Sequence, residues 1–270
     1  MPTLELPDGG HLNYEIAGDG PTVTFIHPGL WDMRTWDREF ASFREAGYRV
    51  LRYDVRGYGG SSRPEPGVPY SHVRDLEALL ASEEVTQTAI VGCSMGGGID
   101  VDYALVHPER VWGLVLVATG LGGFEATEEE EDWWAERDAP IEAALEARDL
   151  ERAQDLLLEI WAPLGTDDER GALIKRIARD NIHELMMDES GAEQLDPPAA
   201  HRLAEIDVPT LILEAAYDPP DMRRLCDFLG VEIMGSRKVV IEGADHVVNL
   251  RQPERFEELV LPFLADAAPR

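Results

Sequence analysis

Apolar positions along the chain alternate between two regimes. Short, nearly continuous runs of apolar or β-branched residues predict strands over 11–18, 22–27, 48–54, 88–92, 111–119, 209–215 and 237–243. Between them, apolar residues recur at helical spacing. This predicts helices over 35–47 closed by Gly47, over 71–83 with Ser71 as N-cap, and over 94–107, stopping before Pro108. Two more are expected around 220–229 and 253–265. Strands alternating with helices imply an α/β fold: a mostly parallel sheet with helices on both faces.

The alternation breaks once. From 124 to 203 no good strand is found, and the segment is acidic and rich in helix formers. The expected organisation is a core in two parts, 1–123 and 204–270, interrupted after the sixth strand by an all-helical insertion, 124–203. The acidic run Glu128–Asp132 is read as a solvated helical face.

Composition narrows the class of partner. Against 24 Lys and Arg stand 53 Asp and Glu, a formal charge of −29 that repels nucleic acid and anionic membranes. No run approaches the roughly 18 apolar residues of a membrane span, and the first residues lack the pattern of a signal peptide. Cys93 and Cys226 are expected as free thiols, in keeping with a cytoplasmic protein. The expected partner is a small-molecule substrate, with the chain a monomer or homodimer. No Cys/His cluster has zinc spacing, and His183-Glu184 does not extend to H-E-x-x-H because Met187 stands in the last position. No phosphate-binding glycine loop is found, so neither a metal nor a cofactor is expected.

The candidate chemistry begins at Gly92-Cys93-Ser94-Met95-Gly96. G-x-S-x-G alone is weak, but here it follows a predicted strand and opens a predicted helix, the setting of a nucleophile elbow. The apex of so tight a turn is Ser94. Cys93, one residue earlier, is expected to point into the packing as a small buried hydrophobe. A serine hydroxyl needs a base and a group that orients the base. Of seven histidines, His246 lies just past the last strand, at the same sheet edge as Ser94. Asp218 and Asp221 both follow the preceding strand; Asp218, closer to the strand end, is favoured as the orienting acid.

In that order, Ser94, Asp218 and His246 complete a set of blocks. With "DGGHLNYEIAGDGPTVTFIHPGLWDMRTWD", "YDVRGYGGSS", "VGCSMGGG", "HPERV" and "GADH", the whole chain resembles the α/β-hydrolase superfamily, and within it small serine esterases and enol-lactonases. The resemblance implies an eight-stranded sheet, a Ser94–His246–Asp218 triad and a helical lid formed by the insertion. It also implies an oxyanion hole from backbone N–H groups of Met95 and of Gly29, or Leu30 if the turn shifts. Pro28 replaces the usual glycine but is not the donor position. His27 is expected to hold the turn, and Asp54, Arg56 and Gly57 to form a structural turn. The lid's large apolar residues are Trp133, Trp134, Leu157, Trp161, Met186 and Met187. Trp31, Met33, Trp133, Trp161 and Met187 are candidate pocket walls, and an apolar pocket points to an uncharged acyl or aromatic substrate. The expected function is hydrolysis of a small, largely apolar carboxylic ester or lactone. The alternatives are a C–C bond hydrolase, or a non-hydrolytic cyclase, lyase or ligand-binding protein on the same fold.

Overall fold

The computed structural model describes residues 2–269 and contains one eight-stranded sheet. Its strands are β1 (Thr3–Glu5), β2 (His11–Ala17), β3 (Thr22–Ile26), β4 (Arg49–Tyr53), β5 (Thr88–Cys93), β6 (Val111–Val117), β7 (Thr210–Ala215) and β8 (Arg237–Ile241). Their spatial order is β1-β2-β4-β3-β5-β6-β7-β8, with β1–β2 and β2–β4 antiparallel and every other pair parallel. Every strand predicted from an apolar run is present. Strand β1 is the one the pattern does not locate, because it has three residues and only the middle one is half-buried.

Alternation within the strands fills two core layers. Ile26, Leu51, Ile90, Leu114, Leu116 and Ile212 face one side, packed with α2 (His72–Ser82), α3 (Met95–Val106) and α7 (Pro220–Glu232) through Leu76, Leu79, Tyr103, Leu225 and Leu229. Val23, Phe25, Val50, Val91, Val115 and Leu213 face the other. There they meet α1 (Asp37–Glu45) and α9 (Pro253–Ala267) through Phe43, Phe256 and Leu264. Each fully buried side chain of this kind contributes about 1.5–3 kcal/mol relative to exposure, and both faces are needed to hold a parallel sheet. The caps follow the sequence: Ser71 accepts from the N–H of Arg74 at the start of α2, and α1 gives way to Gly47 at φ +94°.

Between β6 and β7 lie α4 (Glu128–Glu146), α5 (Leu150–Trp161) and α6 (Glu169–Asp180), with no strand among residues 124–203. Ile141, Ala144, Ala153 and Ile160 make a small core of their own with Trp133, Trp134 and Trp161 against it. The acidic run is not wholly solvated. Glu130 completes a capping box with Thr127 and turns inward to take two hydrogen bonds from Arg224 of α7, at 2.7 Å each. Leu158, Ile174 and Ile177 pack on Leu30, Trp31 and Val247 of the sheet-edge loops. The short helix α8 (Val248–Arg251) follows directly. No described helix is long and apolar enough to cross a membrane.

Candidate active site

The turn from β5 into α3 is tight, and its geometry is forced by small residues. Ser94 has φ +52° and ψ −115°, a conformation that costs an L-residue on the order of 1–3 kcal/mol and persists only where the surroundings fix it. They do so here: the Ser94 N–H donates to Val117 O at 3.0 Å, and its carbonyl accepts from Gly98 and Gly120 at 3.0 and 2.9 Å. A Cβ at Gly96 would lie 2.3 Å from Ile26 O, and one at Gly92 2.5 Å from the Gly96 carbonyl carbon, so helix and strands approach this closely only because both are glycine. Cys93 is buried beneath the turn. Its thiol donates to His246 O at 3.3 Å, and burial holds it well above the ordinary thiol range, so it is neither exposed nor ionised.

His246 occupies the loop after β8 and is buried. Its Nδ1 lies 3.0 Å from Oδ1 of Asp218, itself buried just past β7. Asp221 instead sits in the first turn of α7, half-buried, with burial raising its carboxyl. With Nδ1 engaged, Nε2 is the ring nitrogen left for chemistry. Ser94 and His246 line one cavity of about 250 Å³; no hydrogen bond joins the two among the described residues.

Gly29, Leu30 and Met95 border the same cavity. None of their backbone N–H groups finds an acceptor among the described residues. Leu30 takes φ +67° in the turn after β3. That turn is held by His27, whose Nδ1 donates to Pro28 O at 2.8 Å while Nε2 accepts from the N–H of Val55 at 2.9 Å. Both contacts suit a neutral ring, and burial lowers its pKa accordingly. Asp54 likewise serves geometry, accepting from Asn13, from the N–H of Met33 and from that of Gly60. Arg56 is clamped by Asp75 at 2.8 and 2.9 Å.

Of the five side chains expected as pocket walls, Trp31 and Trp161 border the cavity. Met33, Trp133 and Met187 do not. Met33 is buried at the start of a 3-10 turn beside Asp54. Trp133 packs edge-on against Trp134 and takes the Arg137 guanidinium on its face, 3.7 Å from the ring centroid. Met187 fills the space that a side chain at Gly57 would need. Tyr58, Glu184 and Glu189 complete the lining, and sequence reasoning missed all three. The lining is therefore not purely apolar. Burial, with Glu189 nearby, pushes the Glu184 carboxyl up to about 7, whereas Glu189 itself is exposed. No motif marks these residues; only their place in the fold brings them to Ser94.

One further set of contacts holds the loop that carries His246. Asp245, buried beside His246, pairs with Arg251 at 2.8 Å, and Arg251 also donates to Gly165 O at 2.7 Å. The N–H of Leu164 reaches Asp245 at 3.3 Å. The loop between α5 and α6 is thus tied to the loop that carries the imidazole. Among the described residues no group of three or more His, Cys, Asp or Glu is placed to hold a metal ion.

Residues 25–259 match the family model of the alpha/beta hydrolase family. The chain is 27% identical to 2-hydroxy-6-oxononadienedioate/2-hydroxy-6-oxononatrienedioate hydrolase of Escherichia coli, over 94% of this chain and 91% of that one. Among solved structures it is similar to a hydrolase from Pseudomonas aeruginosa, with 28% identity, a TM-score of 0.79 and 97% of each chain covered. It shares its fold with the enol-lactonase from Burkholderia xenovorans, at 23% identity and a TM-score of 0.73, over 98% of this chain and 100% of that one.

Proposed function

The chain belongs to the alpha/beta hydrolase family, and from that premise we propose that it is a serine hydrolase cleaving a small carboxylic ester or lactone through an acyl-enzyme on Ser94. The observation that carries this reading is the cavity shared by Ser94, on its positive-φ elbow, and the Asp218-anchored ring of His246. The reading requires that rotation of the serine side chain about χ1, a soft torsion, bring Oγ to Nε2. His246 then takes the hydroxyl proton as Oγ attacks the acyl carbon. Asp218 balances the imidazolium that forms. The N–H of Met95, with that of Gly29 or Leu30, receives the oxyanion; each such donor contributes about 10²–10³ in rate. Collapse of the tetrahedral intermediate breaks the bond to the leaving oxygen, which takes the proton from His246. A water, deprotonated by the same ring, then releases the acid and restores Ser94. The helical insertion, 124–203, acts as the lid that excludes bulk water, with Trp161 as its contact to the base.

The named substrate of the Escherichia coli relative is a dioate. Two carboxyl side chains and no Lys or Arg border the cavity here, which favours an ester or lactone over such a dianion. A fluorophosphonate probe tests the reading. It should label Ser94, and Ser94→Ala should abolish both labelling and turnover of short p-nitrophenyl esters. Labelling of wild type without turnover of any ester or lactone in a broad panel would move the assignment to a non-hydrolytic role.

A further inference from the structure

The cavity around Ser94 holds a carboxyl that ester hydrolysis does not use. Glu184 lies in the 3-10 turn Ile182–Met186, and its Oε1 is buried with no hydrogen-bond partner among the described residues. An acceptor left in that state costs about 1–3 kcal/mol, and more when charged. The segment cannot easily relieve it by swinging outward, because it is pinned on both sides of the preceding bond. Asn181 donates to Asp32 Oδ2 at 2.7 Å and accepts from the N–H of Gly59 at 2.8 Å. His183 Nε2 meets Gly57 O at 3.0 Å.

The wall of this cavity supplies no cation. Glu189 borders the same cavity and also a second one of about 220 Å³, which shares Met95 with the first. The second adds Asp102 and Glu193, and Glu193 is already held by Arg74 at 2.6 and 2.7 Å. Neither lining contains Lys or Arg. His72, in the second, is driven by burial down to about 4 and is neutral at pH 7.

We propose that Glu184 is a specificity-determining residue whose carboxylate receives the ammonium group of an amine-bearing ester, with Glu189 as the second charge facing it. An ammonium brings three donors and a full charge to a carboxyl in the cavity wall that no cation neutralises. A neutral alkyl group leaves that charge unbalanced, and a carboxylate ligand meets like charge. That the ligand is an ester rests on the serine-hydrolase reading; the recognition of the cation does not.

The test therefore uses Ser94→Ala protein, in which no acyl chemistry occurs. It is titrated with n-pentylammonium, 1-pentanol and pentanoate at about pH 8, where Glu184 is mostly ionised and the amine charged. Binding is read from the change in tryptophan fluorescence, to which Trp31 and Trp161 in the cavity wall contribute. Pentylammonium is expected to bind about tenfold or more tightly than pentanol, a difference of roughly 1.4 kcal/mol, and pentanoate more weakly than either. Adding Glu184→Gln should remove the ammonium preference and leave pentanol within about twofold. Glu184→Leu should reverse it. Because the net charge attracts any cation, Glu232→Gln on the exposed end of α7 is the control and should change nothing. Equal affinity for pentylammonium and pentanol, or a preference that survives both Glu184 variants, would overturn the proposal. Loss of Ser94 labelling in the earlier experiment bears on the hydrolase reading alone.

Discussion

The indole of Trp161 lies against the imidazole of His246, ring centroids 4.3 Å apart and planes inclined by 45°. Trp161 ends α5, whereas His246 follows β8, so the contact joins the helical segment between β6 and β7 to His246 itself. Trp31 stands nearby, with its centroid 6.5 Å from the same ring and its Nε1 donating to Ile174 O at 3.0 Å. The imidazole is thus buried among aromatic surfaces, where electrostatic interactions are stronger than in solvent. Trp161→Ala should lower kcat/KM for a p-nitrophenyl ester by about 10–100-fold, equivalent to roughly 1.4–2.7 kcal/mol of barrier. Trp161→Phe should recover most of it. Steady-state kinetics decide the matter, and an unchanged kcat/KM in the alanine variant would show that the contact is idle.

Asp218 and Asp221 are three residues apart, yet only Asp218 meets His246. Asp218→Asn removes the charge that balances the imidazolium and allows the wrong tautomer. A loss of about 10⁴ in kcat is expected. Asp221→Asn should stay within severalfold of wild type. Comparable losses in the two variants would show that the acid is not Asp218 alone.

Asp245 and Arg251 form a buried pair beside His246, at 2.8–3.0 Å. Breaking it from one side strands a charge. Asp245→Ala should therefore reduce stability by about 3–5 kcal/mol, visible as a lower urea midpoint, and should weaken activity well below the unfolding transition. Removing both charges with Asp245→Leu and Arg251→Met should restore part of the stability. A double variant no more stable than Asp245→Ala would mean that the Arg251 link to Gly165 matters more than charge balance.

Glu39 on α1 supplies a test of pH dependence. It is fully buried, one oxygen accepts from Asn249 at 3.1 Å, the other has no partner, and burial pushes its carboxyl up to about 7 from the ordinary 4.5. Glu257 nearby raises it further and Arg38 opposes. Below pH 4.5 folded and unfolded chains both hold this proton. As pH rises from there towards 7, the unfolded chain releases it first, so stability falls by about 3 kcal/mol and then levels off. Glu39→Gln lacks this dependence. The wild-type-minus-variant difference in unfolding free energy, measured by denaturant titration at pH 4.5 and 8, should show that fall with rising pH. A flat difference, or a rise, would refute it.

Much of this molecule is legible in its sequence because the relevant physics is local. Strand and helix periods are set within a few residues, and so is the elbow, where Gly92 and Gly96 flank the one side chain that a sharp strand-to-helix turn presents. Strand β1 escaped because three mostly exposed residues carry no period. Glu130 departs from its run because an acidic stretch looks solvated until its partner, Arg224, arrives from a distant helix. Met33, Trp133 and Met187 have the size and apolarity of pocket walls, but their neighbours are decided by packing.

By itself, the sequence determined the alternating α/β architecture, the place where helices interrupt it, and a serine and a histidine at the same edge of the sheet. These follow from short-range periodicity and turn chemistry. Only the tertiary structure decided that Asp218 holds the imidazole, that Trp31 and Trp161 enclose it, and that Glu184 and Glu189 charge the wall facing Ser94. Each of those is a contact between segments far apart in the chain, fixed by how three helices seat on the sheet-edge loops, and no local pattern encodes which side chains then meet.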